Sequence, residues 1–290
     1  MAVLIDPPRW PAHGTVFGHL VSDSSLDELH AFAARAGLPT RAFDHDHYDV
    51  PESRYAVLVE AGALPVDERE LVRRLVASGL RVRVPDKTPT RAQALELLRA
   101  DWASYGLPGS IRDDLLARWS QPHRHYHDVR HLASCLEALD ALGGTGRAVR
   151  LAAWFHDAVY DGRPGDDEES SAQLAVELLT GIVDSDEVDE VARLVRMTAD
   201  HRPDDEAASR LSDADLSVLG QLPGRYHVYL RDVRLDYAHV DDEAWRRGRL
   251  DVVDSLLALE PLFHTETGRR LWQAAAVANL AAERATLTRG

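Results

Sequence analysis

Apolar positions along the chain follow two regimes that meet near Val84–Pro89. Before that point the pattern is mixed. Met1–Ile5 is a short apolar run closed by Asp6-Pro7-Pro8, which predicts a strand. Leu26–Ala36 places Leu26, Leu29 and Ala33 at helical spacing, with Gly37 as a stop. Tyr55–Ala61 and Glu68–Ser78 also predict helices, and the alternation Leu80-Arg81-Val82-Arg83-Val84 predicts a second strand. Residues 1–87 therefore read as a small α/β unit.

The stretch VPDKTPT has two prolines and no periodicity, so it reads as a linker, with Thr90 placed to cap the helix that follows. Beyond it almost every segment fits a period near 3.6. Helices are expected over Thr90–Tyr105, Ile111–Trp119, Tyr126–Leu142, Gly146–Tyr160, Glu168–Thr180, Asp186–Ala199, Arg225–Tyr237, Asp241–Leu259 and Thr267–Thr286. Leu132, Leu136, Leu139 and Leu142 mark one apolar stripe, and Val188, Val191, Leu194 and Val195 another. The expectation is an α+β two-domain chain, with residues 1–87 as the α/β unit and 88–290 as a larger all-α bundle able to line a pocket.

Composition narrows the classes of function. The 290 residues carry a formal net charge of −15. Residues 1–87 hold 10 basic and 13 acidic residues, leaving 23 and 35 for the rest, so the acidity belongs to the helical part. Such a field repels nucleic-acid polymers but admits a small phosphorylated molecule, because a bound divalent cation reverses the local sign. Cys135 is the single cysteine, which excludes an intrachain disulfide and fits a reducing cytoplasm. The start, MAVLIDPPRW, lacks a basic region followed by an apolar stretch, so neither a signal peptide nor a membrane partner is expected.

Four features of the helical part carry candidate chemistry. In Arg124-His125-Tyr126-His127-Asp128-Val129-Arg130-His131, His127 and His131 are four apart, which on a helix puts them on one face. His156-Asp157 closes an apolar helix, where a polar pair needs a partner that a metal ion would supply. His201 follows another helix, and Asp213-Ala214-Asp215 borders an apolar segment. Imidazole with carboxylate suits Mn, Mg, Zn, Fe or Co. A cation with open positions lowers the pKa of bound water, and hydroxide formed near neutrality can attack phosphorus. Each residue also has a plainer reading: buried polar groups satisfied by neighbours, a surface histidine for His127, a helix-end dipole partner for His201.

The ordered set His131, His156-Asp157, Asp215 resembles the HD superfamily of metal-dependent phosphohydrolases, over roughly Thr90 to the C-terminus. The segment Tyr126-His127 to His131 resembles that of cyclic-nucleotide phosphodiesterases, as does Asp215-Leu216-Ser217. The resemblance implies that His131, His156, Asp157 and Asp215 bind the metal, that His127 protonates the leaving oxygen, and that Asp213 supports the site. It implies a second metal or a phosphate at His201, and an acidic residue, Glu168 or Glu169, acting on the nucleophilic water. Arg124 is a candidate phosphate clamp, since a guanidinium engages two oxygens at once, or else a partner for a surface carboxylate.

The expected activity is hydrolysis of a small phosphate ester or nucleotide. Two alternatives stay open: an oxygen-using di-iron enzyme of the same fold, which needs more histidine ligands, and a non-catalytic nucleotide sensor. The N-terminal unit resembles a small uncharacterised domain family through Val3–Asp6, His19–Asp23 and Asp46–Asp49. Asp6, His19, His47 and Asp49 there suggest a metal or phosphate site, but turn and cap roles explain Asp6 and Asp49 equally well, and the plainer reading is preferred. The stripe Leu271, Ala275, Ala278 and Ala282 is expected in the core or in a homo-oligomer contact.

Overall fold

The structure, a computed structural model, describes residues 1–144, 146–163 and 165–289. It resolves into two compact units. The first joins residues 1–87 to Leu222–Val228, a segment that nothing in the sequence marks as returning to this unit, and the second holds the remaining residues.

The first unit is a mixed sheet with helices on both faces. Its strands are β1 (Val3–Ile5), β2 (Trp10–Ala12), β3 (Thr15–Ser22), β4 (Phe43–Asp44), β5 (His47–Pro51) and β6 (Leu64–Pro65), in the order β4-β5-β3-β1-β6 with β2 paired to β3. β3 runs antiparallel to β1 and β5, whereas β1 and β6 are parallel. Helices α1 (Leu26–Arg35) and α3 (Glu68–Ala77) start on side-chain caps from Ser25 and Asp67, and α2 (Glu52–Glu60) follows directly on β5. Gly37 and Gly79, both at positive φ, follow the ends of α1 and α3, where a left-handed residue lets the chain turn away.

β1 is buried along its whole length because both of its faces are covered. Val3, Ile5, Leu20, Tyr48 and Val50 pack with Leu29, Phe32 and Leu58 on one face, and Leu4 and Val21 pack with Leu71 and Leu75 on the other. The strand expected over Leu80–Val84 does not form. Its alternation does bury Val82, but the Val82 N–H is taken by the Asp46 carboxylate at 2.6 Å rather than by a neighbouring strand. Val84 opens a 3-10 turn instead.

The second unit is helical. It comprises α4 (Arg91–Trp102), α5 (Gly109–Trp119), α6 (Val129–Leu142), α7 (Arg147–Phe155), α8 (Asp166–Leu179), α9 (Ser185–Met197), α10 (Glu206–Asp215), the later part of α11 (Pro223–Asp236), and α12 (Asp242–Leu257). A short α13 (Glu266–Gly268) runs through a π turn into α14 (Ala274–Arg289). Thr90 caps α4 in a reciprocal box with Gln93, as its position suggests. The stripes of α6 and α9 are buried. The stripe of α14 is displaced by one residue: Trp272, Ala276, Leu280 and Glu283 face inward, and Leu271, Ala278 and Ala282 lie exposed. Among the described residues no helix is long and apolar enough to cross a membrane.

Candidate metal centre

The first turn of one helix and the C-terminal ends of two others build the central cluster. His131 lies in the first turns of α6, His156 caps the C-terminus of α7 with Asp157 next to it, and Asp215 ends α10. His131 Nε2 lies 3.1 Å from His156 Nε2 and 3.0 Å from Asp215 Oδ1. His156 Nε2 lies 3.5 Å from Asp215 Oδ1 and 3.3 Å from Asp157 Oδ2, and His131 Nε2 is 3.8 Å from that same oxygen. A cation bound at about 2.0–2.2 Å to each donor spaces adjacent donors by about 2.8–3.5 Å, which most of these separations match.

The donor chemistry fits a borderline divalent cation. His156 Nδ1 donates to the Ala153 carbonyl at 2.8 Å, so the lone pair sits on Nε2, the nitrogen that faces the other donors. Burial pushes His156 down, but Asp157 and Asp215 outweigh it and raise its pKa well above the imidazole range. Burial likewise raises Asp157 and Asp215, yet the neighbouring histidines hold both carboxyls below their usual range. The two carboxylates thus favour positive charge where the four side chains meet.

His201 adds an imidazole to the far side of Asp215. It occupies the left-handed region at φ 52° after α9, a strained conformation for a non-glycine residue. Ser212 Oγ lies 3.1 Å from its Nδ1, and its Nε2 stands 3.5 Å from Asp215 Oδ2. Asp215 therefore faces His131 and His156 with one oxygen and His201 with the other. Burial holds His201 below the usual imidazole pKa, which keeps it neutral and able to donate a lone pair.

Cys135, one turn beyond His131 on α6, was read from the sequence only for its lack of a disulfide partner. Its thiol lies 3.7 Å from His131 Nε2 and 3.9 Å from Asp215 Oδ1, close enough to join the donor group. The signal was present in the i, i+4 spacing from His131.

His127 occupies a different element from the one its spacing predicts. α6 starts at Val129, capped by Asp128, so His127 lies in the turn before the helix. Its ring still comes within 5.8 Å of that of His131 and stacks on Tyr160 at 4.2 Å. Nδ1 of His127 bonds to Asp236 Oδ2 at 2.8 Å. Asp236, the last residue of α11, also accepts the backbone N–H groups of His125, Tyr126 and His127. Burial raises the Asp236 carboxyl, but these donors outweigh it and hold the group ionised. Nothing near Asp236 in the sequence identified it.

Two expected site residues serve elsewhere. Arg124 is fully buried and holds no free fork for a phosphate. Its guanidinium donates to the carbonyls of His127, Asp157 and Ala158 and to Gln121, between the rings of Trp119 and Tyr160. Glu169 points outward into a bidentate pair with Arg196. Its neighbour Glu168 lines the cavity instead, one residue and about 100° around the helix. Asp213 accepts the N–H groups of His264 and Thr265 and the Thr265 hydroxyl, so it fixes the loop before α13.

The cluster floors a cavity of about 550 Å³. His127, His131, Asp157, His201 and Asp215 are part of its lining. Tyr229, Val233, Tyr237, Val240, Trp245 and Leu256 give its lining an apolar, aromatic-rich part.

Residues 3–78 match a family described only as a protein of unknown function, DUF4031, which covers most of the N-terminal unit. No family of the HD type matches the helical unit. No curated protein and no solved structure matches the chain.

Proposed function

We propose that the helical unit is a metal-dependent phosphohydrolase of the HD type, acting on a small phosphate ester or nucleotide. One observation carries the reading: from positions scattered over 85 residues of sequence, the His131 and His156 Nε2 atoms and Asp215 Oδ1 come within 3.0–3.5 Å of one another, with Asp157 Oδ2 3.3 and 3.8 Å from the His156 and His131 imidazoles, beside a cavity that His131, Asp157 and Asp215 line. These four residues would hold the ion, with Cys135 close beneath, and a bound divalent cation supplies charge neutralisation for phosphoryl oxygens and acidifies water.

The chain's own groups supply the remainder. Asp236 engages Nδ1 of His127, which leaves Nε2 as the atom that can deliver a proton to a leaving oxygen. Asp215 can serve a second ion through its other oxygen, with His201 as that ion's imidazole. Glu168, held by burial above the usual carboxyl range, lines the same cavity and can accept a proton from water. The aromatic lining is suited to a flat organic group such as a nucleobase, which favours a nucleotide among phosphate esters.

The test is a turnover screen of the purified full-length chain against nucleotides and simple phosphate monoesters, with Mn²⁺, Mg²⁺, Co²⁺ and Ni²⁺ each present. The reading expects phosphate release with at least one pairing, and its loss in His156→Ala and Asp157→Ala. Full turnover in either variant contradicts it. Ligand-induced thermal shifts without turnover in any pairing would favour a sensor instead.

A further inference from the structure

The N-terminal unit carries a second constellation, unrelated to the helical cavity. In β3 and β5 the pairing register sets His19 opposite Asp49 and Leu20 opposite Tyr48. Side chains alternate between the faces of a strand, so Leu20, Tyr48 and Val50 enter the core while His19, Asp49 and His47, two residues before Asp49, share the other face. The ligand atoms of His19, His47 and Asp49 all lie within 4.8 Å of one another. His47 Nε2 is 3.5 Å from Asp49 Oδ1, and the two imidazole rings meet edge to face at 5.1 Å.

Both histidines are oriented from behind by buried carboxylates. His19 Nδ1 bonds to Asp6 Oδ2 at 3.1 Å, and the other Asp6 oxygen accepts the His19 N–H. His47 Nδ1 bonds to Asp46 Oδ1 at 2.6 Å, and Asp46 is itself fixed by the Val82 N–H and Arg81. Asp6 and Asp46 are essentially fully buried. An imidazole whose Nδ1 is engaged by a carboxylate presents Nε2 as a lone pair, an arrangement that recurs behind metal-bound histidines. Gly18 makes this possible for Asp6: a Cβ there would stand 2.5 Å from the Asp6 carbonyl oxygen and 3.0 Å from Oδ1.

We propose that His19, His47 and Asp49 form a binding site for a borderline divalent cation such as Zn²⁺, through two imidazole Nε2 atoms and one carboxylate. Three protein donors leave a position for water or a small anion. Asp49 is 48% exposed and His19 26%, so that position faces solvent. The Asp6–His19 and Asp46–His47 pairs fix the ring orientations before the ion arrives. The proposal goes beyond the phosphohydrolase reading and does not depend on it.

The experiment uses the full-length chain stripped with EDTA and titrated with Zn²⁺, read by calorimetry and by zinc content after desalting. Asp49→Asn and His19→Gln should each bind one zinc equivalent fewer than the parent, or bind it at least tenfold more weakly. Their melting temperatures in EDTA should match that of the parent, which separates lost ligation from lost folding. Asp49 is exposed, so its variant remains informative if His19→Gln unfolds. His156→Ala should remove a different equivalent, so a failure at one site leaves the result at the other readable. Zinc binding by both variants equal to that of the parent overturns the proposal.

Discussion

Arg124 donates through Nη1 to the carbonyl oxygen of Asp157 at 2.6 Å, and the same nitrogen reaches the carbonyl of His127 at 3.2 Å. One buried guanidinium therefore ties the turn that carries the candidate proton donor to the turn that carries two candidate metal ligands. α7 stops at Phe155, and the carbonyls of Asp157 and Ala158 that would otherwise continue its ladder are satisfied by this side chain.

Replacing Arg124 should consequently act on folding and on metal binding together. Arg124→Ala leaves three carbonyl groups, that of Ala158 buried and those of His127 and Asp157 partly so, without a charged donor, and is expected to cost about 3–5 kcal/mol in denaturant unfolding. Arg124→Lys, which keeps the charge but loses the fork, should fold and bind the activating metal more weakly. A substrate clamp would behave differently, raising KM and leaving unfolding midpoints unchanged.

Asp236→Asn should uncouple proton delivery from metal binding. The amide cannot hold His127 Nδ1 as the carboxylate does, so kcat is expected to fall by about 10²-fold, with a changed pH profile. Metal content of the variant should equal that of the parent, because Asp236 touches none of the four candidate ligands. A matching loss of metal would place Asp236 in the wrong role.

Arg249, which lines the cavity, pairs bidentately with Glu283 at 2.7 and 3.1 Å, with both side chains buried. Removing Glu283 takes the opposite charge from the buried Arg249 guanidinium, which still lies over the Tyr229 ring. Glu283→Ala is expected to lose about 3–5 kcal/mol of stability in urea unfolding. A loss below about 1 kcal/mol would mean that water reaches the pair.

In the first unit, burial and then the neighbouring His227 push His30 down to about 4. The unfolded chain takes up that proton near pH 6.5 and the folded chain does so only near 4. The stability linked to neutral His30 is therefore complete above about pH 6.5 and is lost as pH falls toward 4. At pH 4.5 the loss should be about 2–3 kcal/mol, relative to a His30→Gln variant measured by the same unfolding titration. Parallel pH profiles for the two proteins would contradict the assignment.

The long amphipathic stretches were legible because one periodic face settles a helix: the stripes of α6 and α9 read directly. β3 was not legible, since Gly18 and His19 interrupt its alternation and both faces are covered near Val21. α10 escaped because Ala208, Leu211 and Ala214 make a weak stripe interrupted by buried Ser212 and Asp213. In the centre, the order of His131, His156, Asp157 and Asp215 pointed to a shared site before any geometry was known. Asp236 reaches His127 through tertiary contact, which no local pattern encodes, whereas Cys135 is marked by its i, i+4 spacing from His131. Arg124 and Glu169 lay in the right segments, but burial in one case and helix rotation in the other directed them away from the cavity.

The central claim is that four side chains hold one divalent cation that the chemistry requires. Metal analysis of the purified full-length chain beside Asp215→Ala and His156→Ala, paired with the turnover screen on the same samples, tests it most directly. The account predicts at least one equivalent of tightly held metal in the parent that both variants lose along with hydrolysis, while their helical circular dichroism persists. Parental metal content or undiminished turnover in either folded variant would contradict it.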